Sequence, residues 1–187
     1  MKRRAMLIAV LAVAVASWAG VGCSAEPYRG RVLDDVTKEP ISGVVVTVVW
    51  LRETSLPGGD VREEFHKAIE VLTDSQGRFT VPDVRQEWTR PGVEIEDAAP
   101  TFFKPGYIQR HIQFESSEGE SKSPIIIYMK RRSELTEDDK MSMAGTEDPA
   151  FQTARHPLIP GSAIPKLLRA IDEDRQLLGL PSLPRRK

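Results

Sequence analysis

The sequence predicts an all-β fold: a single seven-stranded, Greek-key-like β-sandwich, with an N-terminal signal peptide and a C-terminal extension containing one short helix. Three observations predict it. Residues 44–51 are apolar except for Thr47 and mostly β-branched, and such side chains favour extended backbone. Phe79 and Val81 alternate with Arg78 and Thr80, the period of a half-buried strand. Turn-forming residues recur between short apolar runs, a spacing that supports about seven strands and a sandwich.

Taken in order, residues 1–22 open with Lys2, Arg3 and Arg4 and continue into an uncharged apolar run over residues 5–15, the pattern of a secretory signal. The other reading is a membrane-spanning anchor, which needs about 20 apolar residues. Cys23 is the only cysteine, so no disulfide forms within the chain. It follows Gly20, Val21 and Gly22, and this arrangement resembles a bacterial lipobox, with Gly20 where a leucine is usual. The resemblance implies cleavage before Cys23 and a lipid on its sulfur, with residues 23–27 as a tether. Plain cleavage with a free thiol is the alternative. Ser24, rather than an aspartate, implies sorting to the outer membrane of a bacterial envelope. Several acyl chains hold a protein durably where one holds it only marginally.

Residues 31–33 form a short strand that ends at Asp34 and Asp35, and Pro40 turns the chain because its φ is fixed. In residues 44–51, Val44, Val46, Val48 and Trp50 share one face, and Val45, Thr47, Val49 and Leu51 the other. Both faces are largely apolar, so this strand is covered on both sides or central in its sheet. Residues 67–73 and 78–81 flank Asp74-Ser75-Gln76-Gly77, which suits a type I turn.

Three pieces in this order carry a resemblance: Gly30-Arg31-Val32 with Asp34, then Thr37 with Pro40-Ile41, Gly43-Val44 and Val46, then Thr73-Asp74 with Gly77 and Phe79. Together they resemble the carboxypeptidase regulatory-like domain, which implies a transthyretin-like, prealbumin-type β-sandwich. The likeness extends to Lys104-Pro105-Gly106-Tyr107, where the family commonly carries a Gly-Tyr pair, and ends near Met129. Residues 56–64 depart from it by lengthening one loop.

Residues 82–99 are less regular and hold Trp88, with two short strands flanking the stretch or lying within it. Pro105-Gly106 suits the centre of a type II turn. Ile108, Ile112 and Phe114 are placed on one face of the next strand, and residues 125–129 form the last. The sandwich is thus assigned to residues 28–132. Residues 133–187 are expected to be a flexible arm: 133–146 is charged and lacks an apolar period, and a helix spans about 165–178. Pro165 opens that helix and Gly179 caps it. Leu167, Leu168, Ile171 and Leu178 lie along one side, which needs a surface, either the sandwich or a partner.

Catalytic groups do not converge in the sequence, so the chain is expected to be no enzyme and to hold no cofactor or metal. His66, His111 and His156 are far apart, and zinc needs several ligands at fixed spacing. No Gly-x-Ser-x-Gly elbow is present. Lys2, Arg3 and Arg4 leave with residues 1–22, so 26 basic and 27 acidic residues become a net charge of about −4. That argues against nucleic acid, which calls for a clustered basic face. The expected partners are the membrane, through Cys23, and an envelope protein bound by the chain as an assembly module. A carbohydrate-binding module using Trp88 is the alternative.

Overall fold

A computed structural model describes residues 27–84, 93–97, 100–114, 124–143 and 148–184, with the backbone alone at 96–97, 110–114, 140 and 142–143. Cys23 and Trp88 lie outside the described residues. Two sheets pack face to face as an all-β sandwich. One has the order β4 (Arg78–Val81), β1 (Tyr28–Asp34), β8 (Ile125–Arg131), β7 (Tyr107–Phe114). The other has β3 (Val61–Leu72), β2 (Val45–Ser55) and β5 (Val93–Asp97), with β6 (Thr101–Phe103) also pairing β2. The described strands number eight, rather than about seven. β1 and β8 run parallel, and the other pairs are antiparallel.

The valine-rich strand explains the architecture. Val44, Val46, Val48 and Trp50 enter the core between the sheets, where Val32, Val81 and Ile127 meet them from the opposite layer. Val45 and Val49, on its other face, enter a second core beneath the C-terminal helices. Both expectations for this strand hold: it is central in its sheet and covered on each face. Trp50 is fully buried, with its ring centroid 6.4 Å from that of Tyr28.

The turns follow their residues. Gly77 N donates to Asp74 O at 2.9 Å, and the Asp74 carboxylate accepts from Gln76 N and Arg78 N at 2.8 and 2.9 Å. Residues 56–64 do not form a loose loop. β2 and β3 run on as a hairpin to the Ser55–Val61 pair, Arg52 pairs with Glu64 across it, and the turn is confined to residues 56–60. The strand after Gly106 departs from simple alternation. A register shift between Gln109 and His111 puts Ile108 opposite Lys130 and Ile112 opposite Ile127, so the two isoleucines do not share a face.

The segment after Arg132 is built onto the sandwich rather than held apart as a free arm. A 3-10 turn (Arg132–Glu134) leads into α1 (Glu137–Met143), followed by α2 (Pro149–Arg155) and α3 (Pro165–Leu177). The charged stretch folds because its polar groups answer one another. Thr136 N donates to Asp139 Oδ2 at 3.0 Å and Asp139 N to Thr136 Oγ1 at 3.2 Å, a reciprocal cap. The same Asp139 oxygen accepts from Lys130 Nζ at 2.7 Å, anchoring α1 to β8. Asp148 caps α2, with Pro149 at its first position.

Candidate interaction site on the helical cover

α3 has a side turned to the protein and a side turned away. Ile164, Leu167, Ala170 and Ile171 are buried against Val45, Val49 and Phe103 of the sheet. Burying a side chain of this size contributes about 1.5–3 kcal/mol, so this face belongs to the fold. The sandwich, rather than a partner, is therefore the surface that covers Leu167 and Ile171. Leu168 is half-buried at its edge, and Leu178 is 50 % exposed.

Both ends of α3 are fixed by groups the helix does not own. At its start, Glu70 of β3 accepts from Lys166 N through Oε2 at 2.8 Å and from Leu167 N through Oε1 at 2.7 Å. Lys166 Nζ returns a hydrogen bond to Glu70 O at 2.9 Å. Both Glu70 oxygens are thereby engaged at the helix start. At its end, Gly179 takes φ +69°, Gly179 N donates to Gln176 O and Leu180 N to Arg175 O, a Schellman closure. The chain then folds back: Leu183 N donates to Asp172 Oδ1 at 2.8 Å, and Arg175 Nε to Pro181 O at 2.5 Å.

That fold-back lines a groove of about 930 Å³ together with Leu168, Arg169 and Glu173 of α3 and with Ile159 and Ala154. Beside it the end of α3 presents an apolar corner. Leu177 is 73 % exposed and Leu180 47 %, flanking Leu178. Sequence reasoning found Leu178 but missed Leu177 and Leu180, because the turn at Gly179 is what brings position 180 back beside the helix end.

The carboxylates in and under this layer hold structure together. Asp174 is 1 % exposed; it accepts from Gly106 N at 2.8 Å and pairs with Arg132 at 3.0 Å, locking α3 to the Pro105-Gly106 turn. Burial pushes the Asp148 carboxyl above its ordinary value, against the N–H of Ala150 and the charge of Arg132, and the Asp174 charge raises it further. Among the described residues no group of three or more His, Cys, Asp or Glu side chains is placed to hold a metal ion. In comparisons with known proteins, no family model, curated protein or solved structure matches this chain.

Proposed function

We propose that this chain is a non-enzymatic, lipid-anchored module of the bacterial envelope that binds a protein partner through the corner formed by Leu177, Leu178 and Leu180. The exposure of these three leucines at one helix end carries the reading: the rest of the apolar side of α3 is already covered by the sandwich, and this corner is not. Exposed apolar patches mark interaction surfaces. The commitment of Glu70, Asp139 and Asp174 to backbone and cationic partners supports a structural rather than a catalytic use of these acids.

The anchor rests on Cys23 and the residues before it, with 1–22 as the cleaved signal and the outer membrane as the destination. Membership of the carboxypeptidase regulatory-like family rests on its motif positions, which fall where backbone constraint is high. Gly30 and Gly77 make close approaches, and Gly43 and Gly106 take positive φ.

In-membrane crosslinking with mass spectrometry tests the contact, comparing the full chain with a variant carrying Leu177→Ser, Leu178→Ser and Leu180→Ser. A protein partner captured by the first and lost from the second supports the reading. Equal capture moves the contact elsewhere on the module, and no partner in either overturns it.

A further inference from the structure

Apart from the groove and the leucine corner, a polar pocket of about 170 Å³ lies between the β1 turn, the β6–β7 turn and the end of β8. Lys104, Tyr107 and Arg131 line it together with Thr37 and Ser42, and the carboxylates of Asp34 and Glu39 border it. We infer that it is a binding site for a single carboxylate group, with the Lys104 ammonium as its primary contact.

Lys104 is the unusual member. Its ammonium is partly withdrawn from solvent and donates to Ser42 O at 2.6 Å; its remaining N–H donors meet no acceptor among the described residues. An ammonium has no acceptor function, so its remaining donors, 5.9 Å from the centroid of the Tyr107 ring, are open to an oxygen ligand. No carboxylate neutralises Lys104 among the described residues. Burial lowers its pKa, the direction expected of a cation that lacks a counter-charge.

The surroundings complete an acceptor-binding wall. Arg131 Nε donates to Tyr107 Oη at 3.1 Å, so the phenol accepts there and its own proton is available to a ligand. The terminal nitrogens of Arg131 have no hydrogen-bond acceptor among the described residues. Asp34 borders the pocket but is already committed: Oδ1 accepts from Val36 N and Thr37 N at 2.9 and 3.0 Å, and Oδ2 faces Arg131 Nε at 3.8 Å. Glu39 is exposed at the rim and would repel a second negative charge, so the site favours a monocarboxylate over a dicarboxylate. Whole-molecule sites run to about 300–1,000 Å³, so this pocket takes one functional group, either a free small acid or the terminal carboxylate of a peptide.

Lysine acylation followed residue by residue by mass spectrometry tests this on the full chain in detergent. With sodium propionate at constant ionic strength against sodium chloride, Lys104 labelling should slow saturably, by about tenfold at ten times the dissociation constant. Exposed Lys38 should be unaffected. Arg131→Gln and Tyr107→Phe should each weaken this protection, and Glu39→Gln should extend it to glutarate. A tetrapeptide with a free C-terminus, compared with its amide, separates the sources: protection by the free form stronger than by propionate assigns a peptide terminus, and the reverse a free small acid. If neither propionate nor peptide protects Lys104, or if Lys38 is protected equally, the inference is overturned, whatever the outcome at the leucine corner.

Discussion

Glu70 Oε1 accepts a hydrogen bond from Leu167 N at 2.7 Å across 97 positions of sequence, so a strand of the sandwich caps a helix of the C-terminal segment. The helix start lacks a side-chain cap of its own, since Ile164 stands at that position. Glu70 thus replaces a local cap and adds a negative charge at the positive end of the helix. Glu70→Ala should cost about 1–2 kcal/mol, the range of lost caps, read as a lower urea midpoint with an unchanged slope. Glu70→Gln should recover part of it, because an amide offers one acceptor oxygen where the carboxylate uses two.

The two ends of one helical stripe should behave differently. Leu167 is fully buried in the second core, whereas Leu178 is half exposed. Leu167→Ala should destabilise the protein by about 2–5 kcal/mol, the range for emptied core sites. Leu178→Ala should stay within about 0.5 kcal/mol. Thermal unfolding of both variants checks the pair. A chain ending at Arg132 would expose Val45, Val49 and Phe103, so it should bind a hydrophobic dye and associate rather than persist as a clean sandwich.

The same contrast shows what the sequence discloses. β2 was legible on both faces because apolar residues filled both periods of the strand, and α3 was legible because Pro165 and Gly179 mark its ends. The union of the two was not, since it depends on Glu70, a residue that reads as an ordinary exposed charge in an alternating strand. α1 was hidden differently. Its charges resemble a solvated linker, and the local signal, Thr136 three residues before Asp139, is short; its second partner, Lys130, sits on the preceding strand. The shift at Gln109 and His111 leaves no mark in composition, because a bulge changes pairing and not residue type. Of the candidate site, Leu178 was readable from the helix period, while the groove required the fold-back onto Asp172.

Two carboxyls should pull the acid stability in opposite directions. Burial acts to raise Asp34, but the N–H groups of Thr37 and Val36 and the charge of Arg131 outweigh it and leave the group below its ordinary 3.8. Its contribution is present above that value and is lost as pH falls through the lower folded value. Asp148 lies above 3.8 in the folded state, so the folded chain binds more protons just above that pH and stability falls as pH rises through the window. Asp148→Asn keeps a capping oxygen and should remove that fall, raising neutral-pH stability relative to the parent. Asp34→Asn should flatten the acid limb instead. Urea midpoints from pH 3 to 7 separate the two, and parallel pH profiles for both variants would contradict the assignment.

Gly77 meets two constraints at once. Its φ is +70°, and an added Cβ would lie 2.4 Å from Val32 O, the carbonyl that also accepts from Ile41 N at 3.0 Å. A left-handed conformation costs a side chain about 1–2 kcal/mol by itself, and here the obstructing atom is backbone that holds β1 in place. Gly58 also has positive φ, but nothing lies within 4 Å of an added Cβ. Gly77→Ala should therefore lose more stability than Gly58→Ala, by about 1 kcal/mol or more, because overpacking adds to the conformational cost. Native-state hydrogen exchange should locate the difference. In Gly77→Ala the Val32 and Ile41 amides should lose protection together, since both belong to the hydrogen-bonded link among β1, the 74–77 turn and Pro40-Ile41, while Gly58→Ala should loosen only the tip of the β2–β3 hairpin.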